Sequence, residues 1–273
     1  MGRPHSILDD IVARKRVENE RRRRHLGFDD TQLTRISVGR APRAHAALVR
    51  GDRPLPHVIA EIKMRSPSAG AIRQRERGVV ADIARQYEAG GASAVSVLCD
   101  GPGFGGSVLD VRRAAAVIEL PVLFKEFVLD PVQLALACEV GASMVLLLVR
   151  ALPRDELTRL VTLAHQVGLA PVVEAADDEE LDVALASSAR IVGVNARDLR
   201  TFDVDPEAAR RSVARIPEDR IAIFMSGIRS EADLAGVAAG RADAVLVGEG
   251  LMRARSPGDR LRELLANAVP AGA

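Results

Sequence analysis

The chain has 273 residues, 48% hydrophobic and only 3% aromatic, which allows one large domain or two ordinary ones around an aliphatic core. Its 38 lysines and arginines nearly balance 37 aspartates and glutamates, so the formal net charge of +1 argues against an extended surface for nucleic acid or membrane. Cys99 and Cys138 lie far apart without the spacing of paired ligands, which predicts neither a zinc site nor a disulfide framework.

The amino-terminal segment predicts a helix rather than a targeting signal. Residues 1–5 lead into no signal-like apolar region, and no apolar run is long enough to span a bilayer, so we expect a soluble, cytoplasmic protein. Ser6 can cap a helix that begins at Ile7. The residues that follow helical spacing are Ile7, Ile11, Val12 and Lys15.

Four consecutive arginines, residues 21–24, fall near the C-terminal end of this helix, where positive charge is favourable. Such a run is typical of a solvated helix face, and attraction of an anionic substrate or partner is the alternative. A short second helix is predicted at about residues 44–49.

From residue 58 onwards one unit recurs, namely a short run of Val, Ile and Leu, a polar turn and a helical pattern. The runs are continuously apolar, which is typical of a parallel sheet covered on both faces. The predicted strands are 58–63, 94–98, 122–125, 144–148, 170–174, 191–195, 221–225 and 244–247. The predicted helices are 80–89, 108–117, 131–140, 154–167, 178–186, 206–213, 231–238 and 257–266.

Eight strand–helix units match a closed (β/α)₈ TIM barrel. The competing fold is an open, doubly wound sheet, but no Gly-x-Gly-x-x-Gly fingerprint follows the first strand. We therefore predict an α/β protein with a single barrel domain over residues 1–273, in which residues 1–55 form an N-terminal helical extension.

Polar side chains collect at the C-terminal ends of these strands, where barrels of this kind have their active sites. Glu61 and Lys63 are two residues apart and so point to the same side of the first strand. The ends of other strands carry Lys125, Glu174 and Asn195. Singly, these could be a snorkelling lysine, a helix-capping acid and a turn residue. Together they predict an acid–base site at one mouth.

The loops after the last two strands carry a second signal. Ser226-Gly227-Ile228 follows the seventh strand and Val247-Gly248-Glu249-Gly250 follows the eighth. In these barrels, backbone donors of those two loops often bind phosphate. Either glycine segment alone could be an ordinary turn, but the two together favour a phosphorylated substrate.

Several segments match one family in order along nearly the whole chain. In the first half they are Ile7-Leu8-Asp9-Asp10-Ile11-Val12-Ala13-Arg14-Lys15, Ile59-Ala60-Glu61-Ile62-Lys63, Ser66-Pro67-Ser68, Gly105-Gly106-Ser107 and Pro121-Val122-Leu123-Phe124-Lys125-Glu126-Phe127. In the second half they are Val172-Val173-Glu174, Gly193-Val194-Asn195-Ala196-Arg197-Asp198-Leu199, Ser226-Gly227-Ile228 and Val247-Gly248-Glu249-Gly250-Leu251-Met252-Arg253. The chain resembles the indole-3-glycerol phosphate synthase family of tryptophan biosynthesis.

The resemblance implies a carbon–carbon lyase that needs no cofactor. Its reaction would be ring closure of 1-(2-carboxyphenylamino)-1-deoxyribulose 5-phosphate to indole-3-glycerol phosphate, with loss of carbon dioxide and water. Lys125 would be the general acid and Glu174 the general base of the later dehydration. Lys63 would contact the substrate carboxylate or share the acid role, Glu61 would orient Lys63 and the sugar hydroxyls, and Asn195 would hold a hydroxyl.

The resemblance also implies a set of substrate-binding residues. Phosphate would be held by the loops, and Phe104 and Phe127 would line the pocket for the anthranilate ring. The whole set is Arg197, Ser66, Phe104, Phe127, Leu146, Ser226, Gly227, Gly248 and Glu249. The implied partner is a phosphorylated small molecule, with no nucleic acid or membrane, and the expected assembly is a monomer or weak homo-oligomer.

The chain departs from the family pattern at a few positions. Met225 replaces a glutamate, and the other departures are Phe124, Glu126, Ala196 and Gly250. Met225 and Phe124 motivate an alternative, a paralogous lyase for a related aryl-amino sugar phosphate in specialised metabolism. A non-catalytic phosphate-binding barrel is the third interpretation, ranked last because Lys125 and Glu174 are both present.

Overall fold

Eight parallel strands close into a barrel in the computed structural model, which describes residues 6–198 and 203–268. Residues 1–5 and Leu199, both used in the sequence analysis, lie outside these ranges. The strands are β1 His57–Ile62, β2 Ala94–Leu98, β3 Val122–Lys125, β4 Met144–Leu148, β5 Ala170–Ala175, β6 Ile191–Asn195, β7 Ile221–Met225 and β8 Ala244–Val247. Each strand pairs with its neighbours in the chain, and β1 pairs with β8 to close the ring. The predicted (β/α)₈ fold is confirmed.

Helices alternate with the strands and cover the outside of the barrel. Two precede β1, α1 Ile7–Leu26 and α2 Ala41–Leu48. The others are α3 Val79–Ala89, α4 Gly101–Phe104, α5 Val108–Ala115, α6 Pro131–Glu139, α7 Arg154–Gln166, α8 Asp178–Ala186, α9 Pro206–Ala214, α10 Glu231–Ala238, α11 Glu249–Met252 and α12 Pro257–Asn267. A small hairpin of Arg65–Ser66 and Gly70–Ala71 follows β1. Among the described helices, none is both long enough and apolar enough to cross a membrane.

The barrel has separate inner and outer layers, because successive side chains of a strand point to opposite faces. In β4, Met144, Leu146 and Leu148 belong to the buried cluster inside the barrel. Val145 and Leu147 belong to the cluster between the strands and the helices. The same alternation decides which residues at the strand ends can reach the mouth of the barrel.

Helix α2 closes the lower end of the barrel, where the strands begin. Ala44 and Leu48 are fully buried and belong to the inner cluster. Arg40 donates to the carbonyls of Cys138 and Ala142, just before β4, and Arg50 donates to the carbonyl of Ala242, just before β8. These bonds tie both arginines to the stretches of chain that lead into β4 and β8, which fixes the segment beneath the barrel.

Helix α1 lies beside the opposite end, where the strands finish. Ser6 caps it, as predicted, and forms a capping box with Asp9. Arg14 and Lys15 pair with acidic residues that directly follow β2 and β3. The buried face of the helix is formed by Leu8, Ile11, Lys15 and Asn19, whereas Ile7, placed by spacing on the same face as Ile11, is 43% exposed.

Candidate active site

One cavity of about 520 Å³ opens at the C-terminal ends of the strands. Every residue that the sequence analysis assigned to the site lines this cavity. The acid–base candidates among them are Glu61, Lys63, Lys125, Glu174 and Asn195. The binding candidates are Ser66, Phe104, Phe127, Leu146, Arg197, Ser226, Gly227, Gly248 and Glu249. The predicted set therefore meets at one place, which has room for a small organic phosphate.

Glu61 lies between two lysine ammonium groups. Lys63 Nζ donates to Glu61 Oε1 at 2.6 Å, and Lys125 Nζ lies 3.6 Å from Glu61 Oε2. Burial opposes ionisation of Glu61, but the charges of Lys63 and Lys125 outweigh it and lower the Glu61 pKa. The three groups form one charged unit in which Glu61 is ionised and both lysines face the cavity.

The protonation of Lys125 follows from the carboxylates around it. Burial alone would lower the pKa of this ammonium. The charges of Glu61 and Glu174 outweigh burial, so the pKa of Lys125 lies above its ordinary value. The side chain is 16% exposed, which leaves the ammonium accessible from the cavity. At neutral pH it is therefore a charged donor.

Glu174 and Asn195 form a second polar pair on the neighbouring strands β5 and β6. Asn195 Nδ2 donates to Glu174 Oε1 at 2.8 Å, and the backbone N–H of Arg197 donates to Asn195 Oδ1 at 3.0 Å. The second bond fixes which way the amide faces. Glu174 Oε2 is buried and has no hydrogen-bond partner in the structure. That oxygen is available to accept a proton, or a hydrogen bond donated by a hydroxyl group, from a bound molecule.

The loops on the other side of the cavity present backbone and hydroxyl groups. Ser226 has a φ of 68° and Gly227 a φ of 85°, so the chain turns sharply after β7. After β8, Gly248 leads into the short helix α11. Ser66 follows β1, the neighbour of β8 in the sheet, and lines the same cavity, where its hydroxyl accepts a bond from the N–H of Ala69 at 3.1 Å. The arrangement suits an anion, although Glu249 itself pairs with Arg253.

An apolar wall faces the charged groups. The rings of Phe104 and Phe127 have their centroids 6.1 Å apart at an interplanar angle of 38°. The cavity is also lined by Leu98, Leu148, Leu246, Ile228, Arg229 and Arg253, which were not among the predicted site residues. Inward-facing alternation near the strand ends would have identified the three leucines. The wall can bury a planar ring while the polar side holds charges.

The structure separates the two departures that motivated a shifted substrate. Met225 points into the barrel, lines the cavity and is 1% exposed. Its thioether fills the space beside Gly193, where a Cβ atom would lie 2.4 Å from Met225 Cε. Phe124 belongs to the outer layer and is fully buried against the helices, so it cannot contact a molecule in the cavity. Only Met225 can affect the substrate directly.

Two of the four arginines of residues 21–24 form ion pairs, while Arg21 and Arg24 are exposed. Arg22 pairs with Glu18, and Arg23 pairs with both Asp30 and Asp130 while its guanidinium lies over the ring of Phe28. Within residues 6–198 and 203–268, no group of three or more His, Cys, Asp or Glu side chains has the arrangement of a metal site. The two cysteines are buried free thiols.

A closed parallel barrel with acid and base groups at the C-terminal ends of its strands defines an enzyme of the (β/α)₈-barrel class. The model of the family "Indole-3-glycerol phosphate synthase" matches residues 8–264. Indole-3-glycerol phosphate synthase of Micrococcus luteus is 42% identical over 266 residues, which cover 96% of this chain and 97% of that protein. The one from Streptomyces griseus is 38% identical, covering 98% and 96%. The chain belongs to the indole-3-glycerol phosphate synthase family.

Solved structures of other barrels share the fold at low sequence identity. The α subunit of tryptophan synthase from Legionella pneumophila has a TM-score of 0.61 at 15% identity and covers 85% of this chain and 99% of that one. Thiamine phosphate pyrophosphorylase from Pyrococcus furiosus has a TM-score of 0.56 at 15% identity, with 79% and 96% covered. At this identity the likeness concerns the fold alone.

Proposed function

We propose that this chain catalyses the ring closure of 1-(2-carboxyphenylamino)-1-deoxyribulose 5-phosphate to indole-3-glycerol phosphate. The observation that carries the proposal is the charged unit of Lys63, Glu61 and Lys125 beside Glu174 in one cavity. The reaction needs a proton donor, a proton acceptor, a seat for an aryl ring and a seat for phosphate. Family membership over residues 8–264 supports the same activity.

In the first step, the ring carbon that bears the carboxylate bonds to the ketone carbon of the sugar. The electron pair of the carbonyl moves to its oxygen, which takes a proton from Lys125. We assign this role to Lys125 because its raised pKa keeps it charged and it faces the cavity. A positioned general acid contributes roughly 10² to 10⁴ in rate. Breaking the bond to the carboxylate then releases carbon dioxide and restores the aromatic ring.

In the last step, the hydroxyl formed from the ketone takes a proton from an ammonium of the charged unit, either Lys63 or reprotonated Lys125, and leaves as water. Glu174 removes a proton from the methylene carbon bonded to nitrogen, which completes the indole. The unpartnered Oε2 of Glu174 supports this role, and Asn195 holds the other oxygen. Lys63 would contact the substrate carboxylate or share the acid role. Its ammonium group contacts the Glu61 carboxylate, as that of Lys125 does.

The two ends of the substrate would lie on opposite sides of the cavity. The aryl ring would face Phe104, Phe127 and the nearby leucines, which bury apolar surface. The phosphate would lie against Ser66 and the backbone donors of the Gly227 and Gly248 loops. Arg197 would help to position the anionic substrate. This orientation puts the ketone between the lysines and Glu174.

The direct test is to incubate the purified protein with the carboxyphenylamino deoxyribulose phosphate and follow indole fluorescence. We expect product from the wild type and a loss of at least about 10²-fold in kcat for Lys125→Met. Arg85→Met, on an outer helix and exposed, is the matched control and should keep wild-type kcat. The absence of product at high enzyme concentration would contradict the proposal.

A second candidate is a paralogous lyase for a related aryl-amino sugar phosphate, favoured by the inward position of Met225. If this is the activity, the wild type turns over 1-(2-carboxyphenylamino)-1-deoxyribulose 5-phosphate slowly, and Met225→Glu raises that rate. A high wild-type rate that Met225→Glu leaves unchanged or lowers would exclude this candidate. Met225→Gln, equal in length but neutral, separates the effect of charge from that of shape.

Several features beyond the reaction are also part of the proposal. We infer that residues 1–273 are one barrel domain in which residues 1–55 are the N-terminal extension. We further infer a cytoplasmic protein that acts as a monomer or weak homo-oligomer. Light scattering of the purified full-length chain measures the assembly state, and a stable complex larger than a dimer would contradict this inference.

A further inference from the structure

A buried ammonium group on α1 lies among three carboxylates. Lys15 is 2% exposed, and its Nζ lies 2.6 Å from Glu18, 3.0 Å from Glu126 and 3.5 Å from Asp100. Burial lowers the pKa of Lys15, but the charges of Glu126 and Glu18 outweigh it, so the ammonium stays charged. A buried charge of this kind costs free energy unless it is paired, so Lys15 and its carboxylate partners depend on one another.

Glu126 connects this ammonium to the catalytic strand end, because it lies between Lys125 and Phe127 in the chain. Its Oε1 accepts a bond from the backbone N–H of Phe127 at 2.9 Å and faces Lys15 Nζ. Among the described residues, Lys15 is the only one that forms an ion pair with Glu126. Asp100 differs, because Arg14 also pairs with it at 2.8 Å.

A neutral contact one turn further along α1 holds the next part of the same loop. Asn19 Nδ2 donates to Gln133 Oε1 at 2.7 Å. Gln133 in turn donates to the carbonyl of Phe127 and accepts from the N–H of Leu129. Residues 15 and 19 lie on one face of the helix. The chain from Lys125 to Gln133 is therefore fixed from α1 at three points, since Arg23 also pairs with Asp130.

We propose that Lys15 is a positioning residue, which fixes Lys125 and Phe127 through the carboxylate between them. The inference rests on the proposed function, in which Lys125 delivers a proton and Phe127 lines the ring pocket. Burial raises the pKa of Glu126, and the Lys15 charge opposes this effect. At alkaline pH, where the carboxyl is ionised, loss of the Lys15 ammonium leaves an unpaired buried charge, and the chain rearranges to bring it towards water. Such a movement displaces both neighbouring side chains.

The test compares variants at a temperature well below the unfolding transition of each. We expect Lys15→Met to lower kcat roughly 10- to 100-fold, because a shift of about 1 Å in a catalytic group has an effect of this size. KM changes much less, since the phosphate loops are untouched. The double variant Lys15→Met/Glu126→Gln removes both charges and recovers most of kcat. If Lys15→Met does not fold, Lys15→Gln is measured in its place.

Arg23→Met is the matched control. It removes the contacts of α1 with Asp130 and Asp30 but touches neither Lys125 nor Phe127. We expect its kcat to stay within about twofold of the wild type, as for a residue remote from the reacting groups. Equal losses in Lys15→Met and Arg23→Met would mean that α1 acts only by docking, which overturns the inference. Failure of the double variant to recover overturns it as well.

A crystal structure of Lys15→Met separates this inference from the proposed function. We expect the segment from Lys125 to Phe127 to move by about 1 Å. An unmoved segment overturns the inference whatever the activity, whereas an inactive wild type in the indole assay counts against the proposed function alone.

Discussion

The carboxylate of Glu61 occupies the space that a side chain at position 248 would need. A Cβ atom on Gly248 would lie 2.7 Å from Glu61 Oε1, the same oxygen that accepts the bond from Lys63. The absence of a side chain after β8 thus lets the charged unit on β1 form. Glycine at this position serves the acid–base groups as well as the phosphate side of the cavity.

We expect Gly248→Ala to lower kcat/KM by roughly 10²-fold, because the new methyl group pushes Glu61 away from Lys63 and a preorganised contact is lost. Gly250→Ala is the matched control in the same loop, since a Cβ atom there meets nothing within 4 Å. Steady-state kinetics of the two variants measure the difference. Similar losses in both would show that the loop tolerates no side chain anywhere, which contradicts the specific contact.

The pH dependence of the reaction should report the charge of Glu61. The Lys125 pKa is raised by Glu61 and Glu174 against the effect of burial. In Glu61→Gln, burial and the nearby Lys63 ammonium both favour the neutral amine, so the pKa of Lys125 falls. The alkaline limb of kcat/KM therefore moves to lower pH.

Profiles recorded from about pH 6 to about pH 10 detect this shift, because the alkaline limb enters that range in Glu61→Gln and stays above it in the wild type. In the wild type, Lys125 stays protonated through neutral pH and loses its proton only above the ordinary lysine pKa. Glu249→Gln removes a carboxylate elsewhere in the cavity and should leave the limb in place. An unshifted limb in Glu61→Gln would mean that Lys125 does not set it.

The lower end of the barrel should depend on Leu48 for stability. This side chain is fully buried in the inner cluster, so Leu48→Ala should reduce the free energy of unfolding by about 2–5 kcal/mol. The next residue, Val49, is 45% exposed, and Val49→Ala should change it by less than about 0.5 kcal/mol. Urea denaturation measures both, and equal effects would argue against α2 as a buried closure.

Met225 and Gly193 should be energetically coupled. A Cβ atom on Gly193 would lie 2.4 Å from Met225 Cε, so Gly193→Ala overpacks the interior at a cost of roughly 1–3 kcal/mol. Shortening the neighbour in Gly193→Ala/Met225→Ala should relieve part of this cost. A double-mutant cycle on unfolding free energies should give a coupling of about 1 kcal/mol or more, and strict additivity would contradict the contact.

The architecture could be predicted because each strand is a short apolar run with a strong local signal. The polar mouth could be predicted for a related reason, since Glu61, Lys125 and Glu174 interrupt such runs where barrel strands end. Apolar packing gives no reason for a charge at these positions. Both the strands and the charged residues at their ends could therefore be recognised within single segments of the sequence.

Side-chain contacts between different segments could not be predicted from the sequence. Spacing placed Ile7 on one face of α1 with Ile11 and Lys15, and the structure buries Ile11 and Lys15 but leaves Ile7 43% exposed. Charged residues are seldom fully buried, so nothing local marks Lys15 as the partner of Glu126. The fit of Met225 beside Gly193 depends on the register of β6 and β7, which only the closed sheet defines.

The closed lower end of the barrel has a consequence for substrate entry and product release. Ala44 and Leu48 are fully buried at the lower end, and among the described residues the close-packed inner cluster fills the barrel above them. A molecule that enters the cavity must therefore leave through the same opening at the C-terminal ends of the strands. In each turnover, carbon dioxide, water and the indole product must leave the cavity before the next substrate molecule can bind.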